Sequence, residues 1–332
     1  MDRQTLYFTA PFEVERRETN FDVAEDQVLV ETALSAISGG TELLIYRGDA
    51  PTDRPADETL DALDGDLSYP LRYGYSAVGD VIEAGSAVSD EWVGRTVFAF
   101  NPHESRFAAR PGDLVPVPND SDMESFALLP SVETATSLVL DGRPRVGERV
   151  VVFGAGIVGL CTISLLTEFP LESLLVVEPI PDRREYANRL GADVAVSPDD
   201  VSRGVASFDG SGADLVYELS GTPEALDAAI DAAGYDSRVV VGSWYGNKDA
   251  KLSLGTDFHR GRISIESSQV STISPELRGR FSKERRMNVA LETLRTLDAG
   301  SLITHRIPFD DASEAYRLLD ERAALQILLT YR

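Results

Sequence analysis

The pattern of apolar and polar positions divides the chain into two differently built regions. In roughly the first 100 residues, short alternating or apolar runs are separated by glycine and other turn residues. The clearest runs are 27–36 (QVLVETALSA), 77–83 and 95–100. Regularly spaced short strands of this kind predict a β-rich, barrel-like unit.

From about Asp120 onward, continuous apolar strands alternate with helical segments. Helices are predicted over 121–141, 157–169, 183–190, 223–233 and 284–298, and strands at 149–153, 173–178, 193–196, 213–220, 238–243, 263–269 and 325–331. Unbroken Val/Leu strands separated by helices indicate a parallel sheet that is covered on both faces. The predicted fold class is therefore α/β, with a doubly wound domain inserted into a β-rich domain.

Between Asp49 and Ser68 the chain is rich in Asp and Pro and has weak periodicity. We expect a solvated surface loop, with a lid over a site as the alternative.

Composition excludes several classes of partner. The 332 residues carry 55 acidic and 31 basic side chains, a formal net charge of −24. Nucleic acids and anionic membranes are bound mainly through Lys and Arg, so neither is an expected partner. Lysine occurs only at positions 248, 251 and 283, which favours a protein kept soluble at high salt; an acidic protein of ordinary salinity is the alternative.

The single cysteine, Cys161, excludes an internal disulfide and lies among apolar residues, which predicts a core position. The amino-terminal sequence has no apolar signal core, and no apolar run reaches the length of a membrane span. We therefore expect a soluble, cytoplasmic protein.

A glycine-rich loop carries the strongest functional signal. Gly154, Gly156, Ile157, Val158 and Gly159 belong to the sequence GAGIVG, which directly follows a predicted strand and opens a predicted helix. In this context the first glycine permits a tight turn, the second lets a pyrophosphate approach the backbone, and the third lets helix and strand pack closely. The free N–H groups of the helix start then face the phosphates. The motif predicts a dinucleotide-binding site.

Glu178 ends the next strand, close to the spacing of ~20 residues at which an acidic side chain binds the adenosine ribose. A carboxylate there repels a 2′-phosphate, so NAD is the predicted cofactor. Arg183 and Arg184 lie nearby and offer a clamp for such a phosphate, which leaves NADP as the alternative.

With this loop placed after a β-rich half, the chain resembles the medium-chain dehydrogenases/reductases, the zinc alcohol dehydrogenase superfamily. The resemblance extends over SAISGGTELLIYRG (35–48), YGYSAVGDVIEAG (73–85), VGRTVFAF (93–100), LVPVP (114–118), TAT (134–136) and RVVVG (238–242). It implies a GroES-like catalytic domain formed by residues 1–130 and 270–332, and a Rossmann domain formed by residues 131–269. It also implies hydride transfer between a nicotinamide cofactor and a small alcohol or carbonyl substrate, in a homodimer or homotetramer.

The chain departs from this family at the zinc ligands. The ligand cysteine falls on Ser38 or Gly39, the ligand histidine on Tyr75, and the third ligand on Pro130. Because a catalytic zinc needs about three protein ligands, we expect no zinc. Among zinc-free members the chain is most similar to the bacteriochlorophyllide hydroxyethyl dehydrogenases and related proteins.

The resemblance suggests which residues serve the chemistry. Thr41 occupies the position that begins the family's proton relay. Tyr75 is a candidate hydrogen-bond donor to the substrate oxygen, or else an aromatic plug in the empty metal site. His103 is a candidate for proton transfer, with a structural role as the alternative. On the cofactor side, the family pattern assigns nicotinamide or ribose contacts to Thr134, Gly242, Ser243 and Ser268.

Two other functions remain open from the sequence. One is a zinc-free quinone or enoyl reductase that uses NADPH, which Glu178 disfavours. The other is a non-catalytic dinucleotide-binding protein, which the loss of all zinc ligands suggests and the presence of Thr41 and Thr134 disfavours.

Overall fold

The computed structural model describes residues 1–60 and 62–332. Its strands in chain order are β1 (Asp2–Ala10), β2 (Glu13–Asn20), β3 (Val28–Ala36), β4 (Leu71–Arg72), β5 (Ala77–Ala84), β6 (Thr96–Ala99), β7 (Arg106–Ala109), β8 (Leu114–Pro116), β9 (Arg149–Phe153), β10 (Ser173–Val177), β11 (Val194–Val196), β12 (Ala213–Glu218), β13 (Ala233–Val241), β14 (Ser264–Ser267), β15 (His305–Pro308) and β16 (Ile327–Thr330). The α-helices are α1 (Thr41–Arg47), α2 (Met123–Phe126), α3 (Leu129–Gly142), α4 (Ile157–Leu166), α5 (Pro181–Arg189), α6 (Val201–Ala206), α7 (Pro223–Ala232), α8 (Lys283–Thr296) and α9 (Ala312–Asp320).

The chain forms two compact units. The first contains Met1–Pro130 and Asp298–Arg332, and the second contains Ser131–Leu297. The return to the first unit therefore begins at Asp298, whereas the sequence placed it at residue 270. The difference arises because α8 is held to α3: the buried Arg286 donates hydrogen bonds to Glu133 and Ser137.

The second unit is built around a six-stranded parallel sheet with the order β11-β10-β9-β12-β13-β14. This is the strand order of the Rossmann dinucleotide-binding fold. Residues Val150–Val152 of the central strand β9 are fully buried, because helices cover both faces of the sheet. The carboxyl ends of all six strands lie at one edge, where this fold binds its ligand.

The first unit is GroES-like and rich in antiparallel strands. Its larger sheet has the order β15-β16-β3-β5-β6-β8, and β7 also pairs with β3. Strand β3 is almost completely buried because it lies inside this sheet, between β16 and β5. A smaller sheet of β2, β1 and β4 packs with helices α1 and α9 around a second apolar core.

Two predicted segments differ from the structure. The single helix expected over 121–141 is divided into α2 and α3. In the acidic segment 49–68, Ala56, Leu63 and Leu67 are buried in the core of the first unit, while Asp53 and Asp64 are exposed. The segment is therefore anchored by its apolar residues rather than wholly solvated. Asp61, within it, lies outside the described residues.

Cys161 lies in the core as predicted, and burial raises the pKa of its thiol to about 12. Within the described ranges, we find no helix with both the length and the apolar character needed to cross a bilayer.

Candidate active site

The glycine-rich loop leads directly from β9 into α4. Gly154 has a φ of +98°, and a Cβ placed on Gly159 would lie 2.1 Å from the carbonyl oxygen of Gly154. Both positions therefore require glycine. At Gly156, the residue that caps α4, an added Cβ would meet no atom within 4 Å. The open space lies at the position where the motif predicts a pyrophosphate, so the loop fits a dinucleotide.

Glu178 follows β10 and is 3% exposed. Its Oε2 accepts a hydrogen bond from the N–H of Ala155 at 2.7 Å, and its Oε1 accepts one from the N–H of Ile180 at 3.0 Å. The carboxylate is thus fixed against the glycine-rich loop. Because each oxygen has a second lone pair, it can also accept bonds from ribose hydroxyl groups.

The two arginines that follow Glu178 lie in α5. The Arg184 guanidinium donates hydrogen bonds to the carbonyl oxygens of Glu178, at 2.6 Å, and of Pro179, at 2.9 Å. Arg184 therefore stabilises the turn after β10. Arg183 occupies the first turn of the same helix.

The remaining predicted cofactor residues also belong to the second unit. Thr134 lies in α3, and Gly242 directly follows β13. The Ser243 hydroxyl accepts a hydrogen bond from the N–H of Gly221 at 2.8 Å, and the Ser268 hydroxyl donates one to Asp141 at 2.6 Å. Both serine side chains therefore tie elements of the unit together.

In the first unit, three hydroxyl groups come together at the start of α1. The Tyr75 hydroxyl donates a short hydrogen bond to Ser38 Oγ and lies 3.4 Å from Thr41 Oγ1. We refer to Ser38, Thr41 and Tyr75 as the hydroxyl cluster. Tyr75 is partly buried, and burial is the main cause that raises the pKa of its phenol. The phenol is therefore a hydrogen-bond donor over a wider pH range than a free tyrosine.

His103 has no exposed surface and contacts residues next to the hydroxyl cluster in sequence. Its Nε2 is 3.0 Å from Glu42 Oε2, and its Nδ1 is 2.7 Å from Ser35 Oγ. Its ring packs against Gly74, where an added Cβ would lie 2.7 Å from it. Since both ring nitrogens have protein partners and no surface is open, His103 does not contact a substrate, and its predicted direct role in proton transfer has no geometric support.

Sequence reasoning missed two residues that organise this region. Glu42 directly follows Thr41 in the segment 35–48, so a carboxylate next to a candidate residue was the sequence signal that could have indicated it. Tyr316, whose hydroxyl donates to Glu42 Oε2, lies 274 positions away, and no local pattern indicates the contact.

Comparison with known proteins agrees with the fold. Residues 158–284 match the zinc-binding dehydrogenase family. The D-guloside 3-dehydrogenase of Escherichia coli K12 is 27% identical over 315 residues, which cover 89% of each chain. The chain is therefore similar to the zinc-binding dehydrogenases, in residues 158–284 for the family and over most of its length for this relative.

Two solved structures have the same fold. The 2R,3R-butanediol dehydrogenase of Bacillus subtilis superposes with a TM-score of 0.81 at 21% identity, covering 99% of this chain and all of that one. A protein of Escherichia coli CFT073 described as a short chain alcohol dehydrogenase, solved with NADH, superposes with a TM-score of 0.78 at 18% identity, covering 99% of each chain.

The residues that the resemblance places at zinc-ligand positions do not fit a catalytic zinc. Ser38 and Tyr75 offer neutral hydroxyl groups that bond to each other, and the Pro130 side chain has no donor atom. Zinc sites in proteins use Cys, His and carboxylate ligands. Within residues 1–60 and 62–332, no three His, Cys, Asp or Glu side chains are grouped so that they could hold a metal ion.

Proposed function

We propose that this protein interconverts a secondary alcohol and a ketone with NAD as the cofactor and without zinc. Two of the similar proteins are named for D-guloside and for 2R,3R-butanediol, compounds that carry more than one hydroxyl group. We extend this feature to the present chain and propose a small diol or polyol as the substrate.

The observation that carries the proposal is the hydroxyl cluster, of which Ser38 and Tyr75 stand where the resemblance places zinc ligands. Without a metal, the charge that develops on the substrate oxygen must be stabilised by hydrogen-bond donors placed in advance. Tyr75 supplies such a donor: its single O–H, which is directed at Ser38 in the free protein, would turn to the substrate oxygen, and the Ser38 hydroxyl would then donate to the Tyr75 oxygen.

The second unit supplies the cofactor site. The loop from Gly154 to Gly159 and the first turn of α4 would hold the pyrophosphate, and Glu178 would hold the adenosine ribose. When bound, NAD accepts the hydride of the alcohol carbon, and NADH returns it to the ketone carbon.

Protons move through the hydroxyl cluster. In ketone reduction, Tyr75 donates a hydrogen bond to the ketone oxygen, and the proton gained by that oxygen is replaced from solvent through Tyr75 and Thr41. In alcohol oxidation the same hydroxyl groups carry the proton outward, so that one hydride and one proton leave the alcohol.

Removing the Tyr75 hydroxyl tests this function. We expect Tyr75→Phe to lower kcat for reduction of 3-hydroxybutan-2-one with NADH by about 10²- to 10³-fold, the effect of deleting one donor to a developing oxyanion. NADH affinity, measured by fluorescence titration, should remain unchanged.

The matched control is Tyr73→Phe. Tyr73 packs edge-to-face against Tyr75, and its hydroxyl lies 3.5 Å from the carbonyl oxygen of Ala56, outside the hydroxyl cluster. If both variants, or neither, lose turnover, Tyr75 is not the specific donor and the proposal fails.

A further inference from the structure

Glu218 is a completely buried carboxylate at the carboxyl end of β12. Its Oε1 accepts hydrogen bonds from the N–H of Ser220, at 2.8 Å, and from the Ser220 hydroxyl. Its Oε2 accepts a hydrogen bond from the hydroxyl of Tyr245, 27 positions further along the chain. One side chain therefore joins the turn after β12 to the turn after β13.

The backbone of Glu218 holds the same two turns together. Its carbonyl oxygen accepts a hydrogen bond from the N–H of Gly242 at 3.0 Å and one from the Ser243 hydroxyl at 3.3 Å. The Ser243 hydroxyl in turn accepts a hydrogen bond from the N–H of Gly221 at 2.8 Å. Residues 242–245 are thus held at both ends, by the carbonyl group and by the carboxylate of the same residue.

The turn after β12 lies against the glycine-rich loop. A Cβ placed on Gly154 would lie 2.7 Å from the carbonyl oxygen of Leu219 and 2.8 Å from Ser220 Cα. On the other side of β9, Glu178 fixes the turn after β10. The loop is therefore flanked by two buried glutamates, one at each strand that neighbours β9.

The strand order divides a bound dinucleotide between these two sides. The order reverses between β9 and β12, and this fold binds its dinucleotide across that point. With the adenosine ribose at Glu178, as proposed above, the nicotinamide half extends over β12 and β13. In the turn after β13, Trp244 is 41% exposed, although its neighbours Ser243 and Tyr245 are both bonded to Glu218. The turn thus presents an exposed aromatic side chain on a fixed backbone.

We propose that Glu218 is a positioning residue: through Tyr245 it holds the turn of residues 242–245 in the place where this turn contacts the nicotinamide ring of NAD. This inference rests on the function proposed above. Glu218 is completely buried and its carboxylate is bonded by Ser220 and Tyr245, so it acts through the turn and does not touch the cofactor. Because a turn that is already ordered costs less free energy to fix at binding, the hydrogen bond contributes to cofactor affinity.

Tyr245→Phe tests the proposal, because it deletes one hydroxyl group and keeps the ring. Isothermal titration calorimetry with NADH and with ADP-ribose, which lacks the nicotinamide ring, separates the two parts of the site. We expect Tyr245→Phe to weaken NADH binding at least about threefold, the order of effect of one lost hydrogen bond, and to change the ADP-ribose Kd by less than about twofold. The matched control is Tyr235→Phe. Tyr235 lies in β13 and is 72% exposed, so its substitution should leave both affinities unchanged.

The part played by Glu218 is measured by the same substitution in a Glu218→Gln background. Because the Tyr245 hydroxyl acts through the carboxylate, Tyr245→Phe should weaken NADH binding less in that background than in the wild type. Circular dichroism shows whether Glu218→Gln is folded; if it is not, the comparison of NADH with ADP-ribose in Tyr245→Phe decides.

Three results overturn the inference. The first is an unchanged NADH affinity of Tyr245→Phe. The second is an equal loss of NADH and ADP-ribose affinity, which is the result of a general loosening of the unit. The third is an equal effect of Tyr245→Phe in the wild type and in a folded Glu218→Gln protein. Failure of the proposed function appears separately, as full turnover of Tyr75→Phe.

Discussion

At the scale of single residues, we propose that Glu178 sets the preference between NAD and NADP. Its two oxygens are held by the N–H groups of Ala155 and Ile180, so the carboxylate cannot turn away from a ligand on the glycine-rich loop. A 2′-phosphate placed beside it would meet like charge. Arg184 is engaged with backbone carbonyl oxygens of the same turn.

We therefore expect NADH to bind at least about tenfold more tightly than NADPH, a difference of ~1.4 kcal/mol. Glu178→Ala should lower the ratio of the NADPH Kd to the NADH Kd. The matched control is Glu172→Ala, which removes an exposed carboxylate directly before β10. This variant should leave the ratio unchanged. Fluorescence titration of both cofactors measures the ratio, and tighter binding of NADPH by the wild type would favour the quinone or enoyl reductase alternative.

At the scale of elements, the turn from β9 into α4 contains glycines with two different roles. Gly159 permits the close contact between helix and loop, because its Cβ would lie 2.1 Å from Gly154 O. Gly156 has φ −71° and ψ −178°, a conformation open to any residue, and faces empty space. Gly159 is therefore required for packing, and we propose that Gly156 leaves space for the cofactor.

Alanine at these two positions should have opposite consequences. We expect Gly159→Ala to cost about 1–3 kcal/mol of stability, as an overpacked contact does. We expect Gly156→Ala to leave the free energy of unfolding within ~0.5 kcal/mol and to weaken NADH binding at least about tenfold. Denaturant unfolding and NADH titration of both variants check this; a Gly156→Ala protein with normal affinity would remove the loop from the cofactor site.

Elements with strong local patterns were predictable from the sequence. Elements and contacts that depend on residues far away in the chain were not. Strands β9, β10 and β12 are continuous apolar runs because both sheet faces are covered, so their positions were visible. Strand β2 (EVERRETN) is mostly exposed and polar, and it forms by pairing with β1. Likewise, the buried role of His103 depends on Glu42, 61 positions away, so sequence alone left it as a candidate for proton transfer.

At the scale of the whole molecule, the charge of −24 sets the conditions under which the fold is stable. Self-repulsion among exposed carboxylates destabilises the compact state at low salt. Surface ion pairs such as Arg317–Glu314 and Arg106–Glu31 offset only part of it, because each contributes little. We propose that the protein works in concentrated salt.

The melting temperature should therefore rise with KCl. We expect an increase of more than about 5 °C between about 0.1 M and about 1 M, where the screening length falls from ~10 Å to ~3 Å. Differential scanning calorimetry measures it. A melting temperature that stays constant or falls over this range would contradict the role assigned to the charge.

The zinc content of the purified, active protein tests the central claim most directly. Because Ser38, Tyr75 and Pro130 stand where the resemblance places zinc ligands, we predict far less than one zinc per chain by elemental analysis, with NADH binding and turnover unchanged after chelation. One tightly bound zinc per chain, whose removal abolishes turnover, would contradict the account.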